Sequence, residues 1–194
     1  MNLPNKLTIM RICLVPPVMV FVAFDFGLGV WANLIAAALF SIASITDMFD
    51  GKIARKRGIV TNFGKFLDPL ADKFLVMGTL VSMCTVSQND VYGKLLLLGT
   101  AIVIFRELAV TSLRLIANQS DGAVIAANIF GKIKTTLQIM FIIVALVEPV
   151  FDTVTGIDTL RIPSYVLLCA MAAMTLFSGA TYVKSYWKYI ATDK

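Results

Sequence analysis

The chain has 194 residues, of which 58% are hydrophobic and only 15% are charged. Soluble domains contain roughly 45–50% apolar and about 25% charged residues, so a soluble core of this length cannot bury so much apolar surface. The sequence contains no histidine, which excludes Ser-His-Asp and Cys-His nucleophiles as well as histidine-ligated metals. These features predict an all-α integral membrane protein that forms a single domain over residues 1–194.

Six apolar stretches approach the length of ~20 residues that a membrane-spanning helix needs. In chain order they cover residues 7–24, 31–54, 64–86, 91–117, 129–147 and 163–187. The segments between them are short, and the sequence has no internal repeat of the kind that is typical of many transporters. The pattern therefore predicts six transmembrane helices.

The positive charge of the chain is unevenly distributed. The net charge is +5, and basic residues flank the apolar stretches, which indicates contact with anionic membrane lipids rather than with nucleic acid. If both termini lie on one side of the membrane, that side holds every Lys and Arg except Lys94 and Arg161. Because basic residues collect on the cytoplasmic side, we expect a multi-pass protein of the cytoplasmic membrane with both termini in the cytoplasm.

Two groups of residues suggest anchoring at the membrane–water interface. Aromatic residues commonly form a belt at that interface, and we expect such a belt near the end of the sixth stretch, at Tyr182, Tyr186, Trp187 and Tyr189. Arg11, near the start of the first stretch, has two interpretations. It is either a positive anchor at the cytoplasmic surface or part of a binding site.

Four aspartates lie at the cytoplasmic ends of the second and third stretches. A carboxylate at mid-membrane costs at least ~2.5–3.5 kcal/mol, so such a residue usually marks a functional site. Asp47 and Asp50 are three residues apart, and Asp68 and Asp72 are four apart, so each pair shares one helix face. Four such charges facing one another need bound cations or partial protonation. Oxygen ligands alone favour Mg²⁺, Mn²⁺ or Ca²⁺, and we expect a polar cavity that opens to the cytoplasm.

Small residues accompany these aspartates. Gly51 and Ala54 continue the stripe of the first pair, and Gly64 lies one turn before Asp68. They leave room for a ligand to approach the backbone, although small residues also allow membrane helices to pack closely.

Together, these residues resemble the signature of the CDP-alcohol phosphatidyltransferase family, and the six-span layout extends the resemblance over nearly the whole chain. All eight fixed positions of the signature are present, in the pattern Asp47-x2-Asp50-Gly51-x2-Ala54-Arg55-x8-Gly64-x3-Asp68-x3-Asp72.

The resemblance implies a metal-dependent enzyme that acts on a CDP-lipid. Asp47, Asp50 and Asp68 would hold two divalent cations, Mg²⁺ or Mn²⁺, with help from Asp72, which would also be the general base. The family further implies a homodimer. The residues expected to bind the CDP-lipid are Asn5, Thr8, Gly51, Ala54, Arg55 and Gly64.

Basic residues of the fourth and fifth stretches predict a pocket for the phosphate of an anionic acceptor. They are Arg106, Arg114, Lys132 and Lys134. The two lysines also have a simpler interpretation, because lysines near a membrane end often extend towards water. Residues 4–16 and 131–135 resemble one branch of the family, whose acceptor is sn-glycerol 3-phosphate. We therefore expect transfer of the phosphatidyl group from CDP-diacylglycerol to glycerol 3-phosphate, with release of CMP.

Two other functions are compatible with the pattern. The first is the same chemistry with another acceptor, such as phosphatidylglycerol, serine or inositol phosphate. The second is a divalent-cation channel or transporter in which the aspartates form the permeation site. That alternative predicts polar groups along a continuous path, whereas the acidic residues cluster at one end of two adjacent stretches.

Overall fold

The computed structural model describes the chain over residues 3–24, 26–57, 62–87, 90–120 and 129–190. Within these ranges, some side chains lie outside the description. They belong to residues 3–7, 47–57, 62–66, 68, 69, 72, 115–120, 186 and 188–190. The prediction of an all-α protein is confirmed. The helices are α1 (Leu3–Ala23), α2 (Val30–Arg57), α3 (Asn62–Val86), α4 (Val91–Ser120), α5 (Ile129–Thr155) and α6 (Ile162–Ile190).

Helix α5 is the element whose length differs most from the sequence prediction. It continues past residue 147 to Thr155, because the charge that ends the apolar stretch is satisfied inside the bundle. Glu148 is 6% exposed, and its carboxylate accepts hydrogen bonds from Thr159 Oγ1 at 2.9 Å and from Ser164 Oγ. A prediction from hydropathy alone cannot foresee these partners, since one of them comes from the next helix.

The connection between α5 and α6 is fixed by several local contacts. Gly156, Leu160 and Arg161 have positive φ angles of 69°, 52° and 55°, a conformation that costs energy for residues with a side chain. The Arg161 guanidinium carbon lies 4.9 Å from the ring centre of Tyr92 on α4, and the backbone N–H of Thr159 donates to Asp152 Oδ1 at 3.3 Å. The contact of Arg161 with Tyr92 holds this end of the α5–α6 hairpin against α4, and the hydrogen bond of Thr159 joins the connection to α5.

Three helices are long and apolar enough to cross a membrane. The qualifying segments are Val91–Arg114, Ile129–Thr155 and Ile162–Ser185. In the described parts of the first three helices the apolar segments are shorter, and they cover Thr8–Ala23, Val30–Thr46 and Lys73–Val86. The chain is therefore a membrane protein by length and composition, and the crossing of all six helices stays a prediction.

The helices pack around one hydrophobic core. Helix α1 contacts α2 and α3, α6 contacts α4 and α5, and contacts between α2 and α5 and between α3 and α4 join the two groups. Phe40, Leu80, Leu96, Phe141 and Met171 come from five different helices and are fully buried. Large apolar side chains such as Phe105, which is 76% exposed, cover the outer surface, as expected for a surface that faces lipid.

Helix α4 begins at a capped turn that requires glycine. The backbone N–H of Gly93 donates to Asp90 Oδ1 at 2.7 Å, which is the hydrogen bond that an N-terminal capping residue makes. A Cβ atom at Gly93 would lie 1.2 Å from the carbonyl oxygen of Ser87. The close approach of the preceding backbone therefore excludes any side chain at this position.

The topology gathers the predicted site residues at one end of the bundle. Short connections make successive helices run in alternate directions, so the C-terminal halves of α2, α4 and α6 meet the N-terminal halves of α1, α3 and α5. Side-chain contacts confirm this arrangement, because Thr111 of α4 contacts Lys73 of α3 and Glu107 of α4 contacts Lys134 of α5.

Candidate functional site

The four aspartates predicted to hold metal ions lie on two helices that contact each other. Asp47 and Asp50 belong to α2, and Asp68 and Asp72 belong to α3. Their side chains lie outside the described residues, so metal ligation stays a prediction. The donor set fits hard divalent cations, because it supplies carboxylate oxygens only. Where side chains are described, no group of three His, Cys, Asp or Glu residues is placed to hold a metal ion.

Most residues predicted to bind the CDP-lipid also fall outside the described side chains, namely Asn5, Gly51, Ala54, Arg55 and Gly64. Thr8 is described, and it is 1% exposed, as is Arg11 one turn later on α1. A buried guanidinium needs polar partners to offset its desolvation. The interpretation of Arg11 as a surface anchor is therefore wrong, and the residue belongs to the interior of the bundle.

A group of charged side chains connects α4 to α5. Lys134 Nζ donates a hydrogen bond to Glu107 Oε1, and Arg106 Nη1 donates to the same oxygen at 3.2 Å. Lys134 is 4% exposed and Arg106 is 8% exposed, so the shared carboxylate offsets part of the cost of burying two cations. Together with Arg114, these residues are called the basic cluster below.

Helix α6 contacts the part of the Arg106 side chain that does not face Glu107. Arg106 Nη2 donates to Ser178 Oγ at 2.6 Å, and the guanidinium carbon lies 5.2 Å from the ring centre of Tyr182. A Cβ atom at Gly179 would lie 3.2 Å from Arg106 Cγ, so glycine lets α6 approach the stem of the arginine. Arg106 Nε is buried and has no hydrogen-bond partner among the described residues.

Arg114 completes the basic cluster through the same tyrosine. Arg114 Nη2 donates to the hydroxyl oxygen of Tyr182 at 2.8 Å, and its guanidinium carbon lies 5.1 Å from the ring centre. Tyr182 is 4% exposed, so its assignment to an interfacial belt is wrong. Trp187 is exposed, as a belt residue would be, and the side chains of Tyr186 and Tyr189 lie outside the description.

Of the four basic residues predicted to bind the acceptor, the structure brings Arg106, Arg114 and Lys134 together. Lys132 is exposed, and it lies about 200° around α5 from Lys134 at the helical rotation of ~100° per residue. No described contact joins Lys132 to the basic cluster, and its role in binding stays a prediction.

The basic cluster is also connected to α3, the helix that carries Asp68 and Asp72. Lys73 Nζ donates to Thr111 Oγ1, and Thr111 Oγ1 donates to the backbone carbonyl oxygen of Glu107 at 2.7 Å. The residue that follows the predicted general base therefore contacts the same turn of α4 that carries Glu107. This contact fixes α3 relative to the basic cluster.

Gln138 extends the cluster by one turn along α5 from Lys134. It is 2% exposed, and its side-chain nitrogen is buried without a hydrogen-bond partner in the described part of the chain. Leaving a buried donor unpaired costs about 1–3 kcal/mol. Gln138 therefore adds an unpaired donor on the same face of the helix as Lys134.

Sequence reasoning missed the residues of α6 that hold the two arginines. Ser178 and Tyr182 are four residues apart and so share a helix face, which is the only signal that the sequence offers for them. Sequence reasoning also failed to identify the partners of Glu107, because the ion pair with Lys134 joins residues 27 positions apart in the chain.

Comparisons with known proteins identify a family and several relatives that match nearly the whole chain. The profile of a family described as CDP-alcohol phosphatidyltransferase matches residues 1–178. A relative from Bacillus subtilis, named CDP-diacylglycerol–glycerol-3-phosphate 3-phosphatidyltransferase, is 41% identical, with 99% of this chain and 98% of the relative covered. A relative of the same name from Yersinia enterocolitica is 34% identical, with 97% and 96% covered. A "probable phosphatidylglycerophosphate synthase" from Mycobacterium tuberculosis is also 34% identical, with 94% and 80% covered.

Proposed function

The chain belongs to the CDP-alcohol phosphatidyltransferase family, and on that basis we propose that it transfers the phosphatidyl group of CDP-diacylglycerol to sn-glycerol 3-phosphate. The products are phosphatidylglycerophosphate and CMP. The names of relatives that match nearly the full length support this reaction. The observation that carries the choice of acceptor is the convergence of Arg106, Arg114 and Lys134 from two helices.

The basic cluster suits a phosphomonoester in its charge. It combines three cations with one carboxylate, and thus has two positive charges in excess. A phosphomonoester carries about −1.5 to −2 charges near neutral pH. Arginine binds phosphate through paired N–H donors, and lysine binds it as a compact charge. The acceptor phosphate would therefore neutralise the cluster when it binds.

The four aspartates are the proposed metal ligands. Asp47, Asp50, Asp68 and Asp72 would hold two divalent cations, Mg²⁺ or Mn²⁺. When bound, such cations offset the negative charge of a diphosphate. Four aspartates on two contacting helices support this assignment, because carboxylate oxygens are the donors that hard divalent cations prefer.

Asp72 is the proposed general base. It would take the proton of the acceptor's primary hydroxyl, which requires a distance of about 2.6–3.2 Å in the reactive complex. The acceptor oxygen then forms a bond to the lipid-side phosphorus, the bond from that phosphorus to the bridging oxygen breaks, and CMP leaves with the electron pair. Asn5, Thr8, Gly51, Ala54, Arg55 and Gly64 are the proposed contacts of the CDP-lipid, of which Thr8 has a described, buried side chain.

Position in the membrane follows from the charge distribution. We propose that the protein is integral to the cytoplasmic membrane, that both termini and the active site lie on the cytoplasmic side, and that anionic lipids contact its basic ends. The family resemblance supports a homodimer. Both substrates fit this arrangement, since CDP-diacylglycerol is held in the bilayer and glycerol 3-phosphate arrives from water.

An acceptor panel tests the proposed reaction. Purified protein is supplied with CDP-diacylglycerol and Mg²⁺ and then with glycerol 3-phosphate, serine, inositol phosphate or phosphatidylglycerol, and CMP release is measured. We expect glycerol 3-phosphate to give the highest turnover, and EDTA to abolish it until Mg²⁺ or Mn²⁺ is restored. Equal or faster turnover with another acceptor contradicts the assignment.

The base is tested by Asp72→Asn, with Asp158→Asn as a matched control on an exposed loop. The first substitution should reduce turnover by about 10²–10⁴-fold, the usual contribution of a general base, while the second should leave it unchanged. Full turnover of the Asp72→Asn protein contradicts the role of Asp72.

A further inference from the structure

Glu107 is a carboxylate inside a site that is proposed to bind a negatively charged acceptor. In the described part of the chain, both ion pairs involve this residue, one with Arg106 beside it and one with Lys134 on the neighbouring helix. By charge alone, an anion in this position weakens the attraction for a phosphate. Its presence therefore needs an explanation, namely a benefit to acceptor binding that outweighs this cost.

The geometry of the hydrogen bonds supplies that explanation. Glu107 Oε1 accepts one N–H from Lys134 and one from Arg106, and it thereby holds two cations from different helices near one point. Without a carboxylate between them, the two buried cations would repel each other strongly, because charges interact more strongly in a medium of low dielectric constant. The shared oxygen keeps them at a fixed separation before any ligand arrives.

The same hydrogen bonds leave other donors available. An ammonium group has three N–H donors, and Lys134 gives one of them to Glu107. Arg106 uses Nη1 for Glu107 and Nη2 for Ser178, and its buried Nε has no partner among the described residues. Glu107 thus fixes the direction of the remaining donors without occupying them.

We propose that Glu107 is a positioning residue for acceptor binding, which holds Lys134 and Arg106 so that their remaining N–H groups point to the acceptor's phosphate. This inference rests on the proposed function. Glu107 itself does not contact the reacting atoms, and its effect passes through the two cations. The carboxylate should therefore matter for the affinity of the phosphorylated acceptor and much less for the CDP-lipid or for the chemical step.

The test measures KM for each substrate separately in the Glu107→Gln protein. We expect KM for glycerol 3-phosphate to rise by about tenfold, because the amide oxygen of glutamine still accepts hydrogen bonds but no longer carries the charge that strengthens them and holds the two cations together. The turnover number at saturating acceptor and KM for CDP-diacylglycerol should change by less than about twofold. An unchanged or lower KM for glycerol 3-phosphate overturns the inference.

Glu148→Gln is the matched control, because Glu148 is a buried glutamate that accepts hydrogen bonds from neighbouring side chains at the other end of the bundle. It should lower thermal stability without changing KM for glycerol 3-phosphate. If Glu107→Gln does not fold, Glu107→Asp serves in its place, since it keeps the charge but withdraws the carboxylate by one methylene group. A wild-type KM in the Glu107→Asp protein also contradicts the proposal.

A double-mutant cycle separates positioning from an independent effect. Lys134→Met alone should raise KM for glycerol 3-phosphate, and adding Glu107→Gln to it should raise KM by a smaller factor than in the wild-type background. If the two substitutions instead raise KM by independent factors that multiply, Glu107 does not act through Lys134. If the wild-type protein does not use glycerol 3-phosphate, the proposed function fails, whereas normal wild-type kinetics with an unaffected Glu107→Gln protein contradict this inference alone.

Discussion

The guanidinium group of Arg114 donates a hydrogen bond of 2.8 Å to the hydroxyl oxygen of Tyr182, and its central carbon lies 5.1 Å from the centre of the same ring. Arg106, two turns earlier on α4, places its guanidinium carbon 5.2 Å from that ring. An aromatic ring attracts cations through its π electrons without carrying a net charge. Tyr182 therefore holds two arginines in place and leaves their positive charge available to an anion.

Two substitutions of Tyr182 separate its hydroxyl from its ring. Tyr182→Phe keeps the ring and should raise KM for glycerol 3-phosphate by about three- to tenfold through loss of one charged hydrogen bond. Tyr182→Leu also removes the ring–cation contacts, each of which is worth about 0.5–2 kcal/mol, so its KM should be higher still. Steady-state kinetics with each substrate measure both effects.

Tyr165→Phe provides the control, because Tyr165 packs against the ring of Tyr92 on the same helix pair but far from the basic cluster. It should leave KM for glycerol 3-phosphate unchanged. Equal values for Tyr182→Phe and Tyr182→Leu would show that the ring makes no contribution beyond its hydroxyl.

Ser178→Ala should destabilise the protein through Arg106. The serine hydroxyl accepts a 2.6 Å hydrogen bond from Arg106 Nη2, and a buried guanidinium that loses an acceptor costs about 1.5–3 kcal/mol. Thermal unfolding in detergent should show a lower transition temperature. Ser185→Ala, at an exposed position where the hydroxyl bonds only to the preceding turn of its own helix, should have almost no effect, and similar losses for the two variants would contradict this prediction.

Gly93→Ala should be strongly destabilising at the start of α4. The added Cβ would overlap the carbonyl oxygen of Ser87 at 1.2 Å, so the capped turn has to open. We expect a loss of more than about 2 kcal/mol, the range typical of backbone strain and a lost cap together, measured by thermal unfolding. Gly131→Ala is the comparison, since its Cβ would lie 3.5 Å from the Tyr182 hydroxyl, and it should keep stability or raise it by up to about 1 kcal/mol through helix propensity.

Glu148→Ala should lower stability while leaving the kinetics of the folded protein intact. The substitution removes the acceptor of the buried Ser164 hydroxyl and one of the two carboxylates that face the Thr159 hydroxyl, and a buried hydroxyl without a partner costs about 1–3 kcal/mol. The expected result is a lower unfolding temperature with unchanged KM values at a temperature where the variant is folded. A raised KM for glycerol 3-phosphate would instead connect this end of the bundle to acceptor binding.

The positions of the helices could be predicted because long apolar segments carry a strong local signal. A backbone in hydrocarbon must satisfy its own hydrogen bonds, which makes a long apolar stretch a helix whatever its neighbours are. Helix α5 differs because Glu148 finds partners in a loop and in α6. Local hydropathy contains no information about such partners.

Side-chain environments were predicted less well, because local hydropathy contains no information about contacts between helices. Arg11 and Tyr182 have ordinary interfacial interpretations from sequence, yet both are buried in the bundle. Helical periodicity places Lys132 and Lys134 on opposite sides of α5, and one is exposed whereas the other is buried against Glu107. Only the packing of the neighbouring helix decides which of the two sides is buried.

The sequence by itself determined that the chain is helical and apolar, and that it carries the complete spacing of the family signature, because those features depend on composition and on positions within one or two consecutive helices. The tertiary structure decided which charges meet. Arg106, Lys134, Ser178 and Tyr182 come from three helices and lie up to 76 positions apart in the chain. Helical periodicity relates neighbours along one helix only, whereas packing between helices selects the side chains that form the basic cluster.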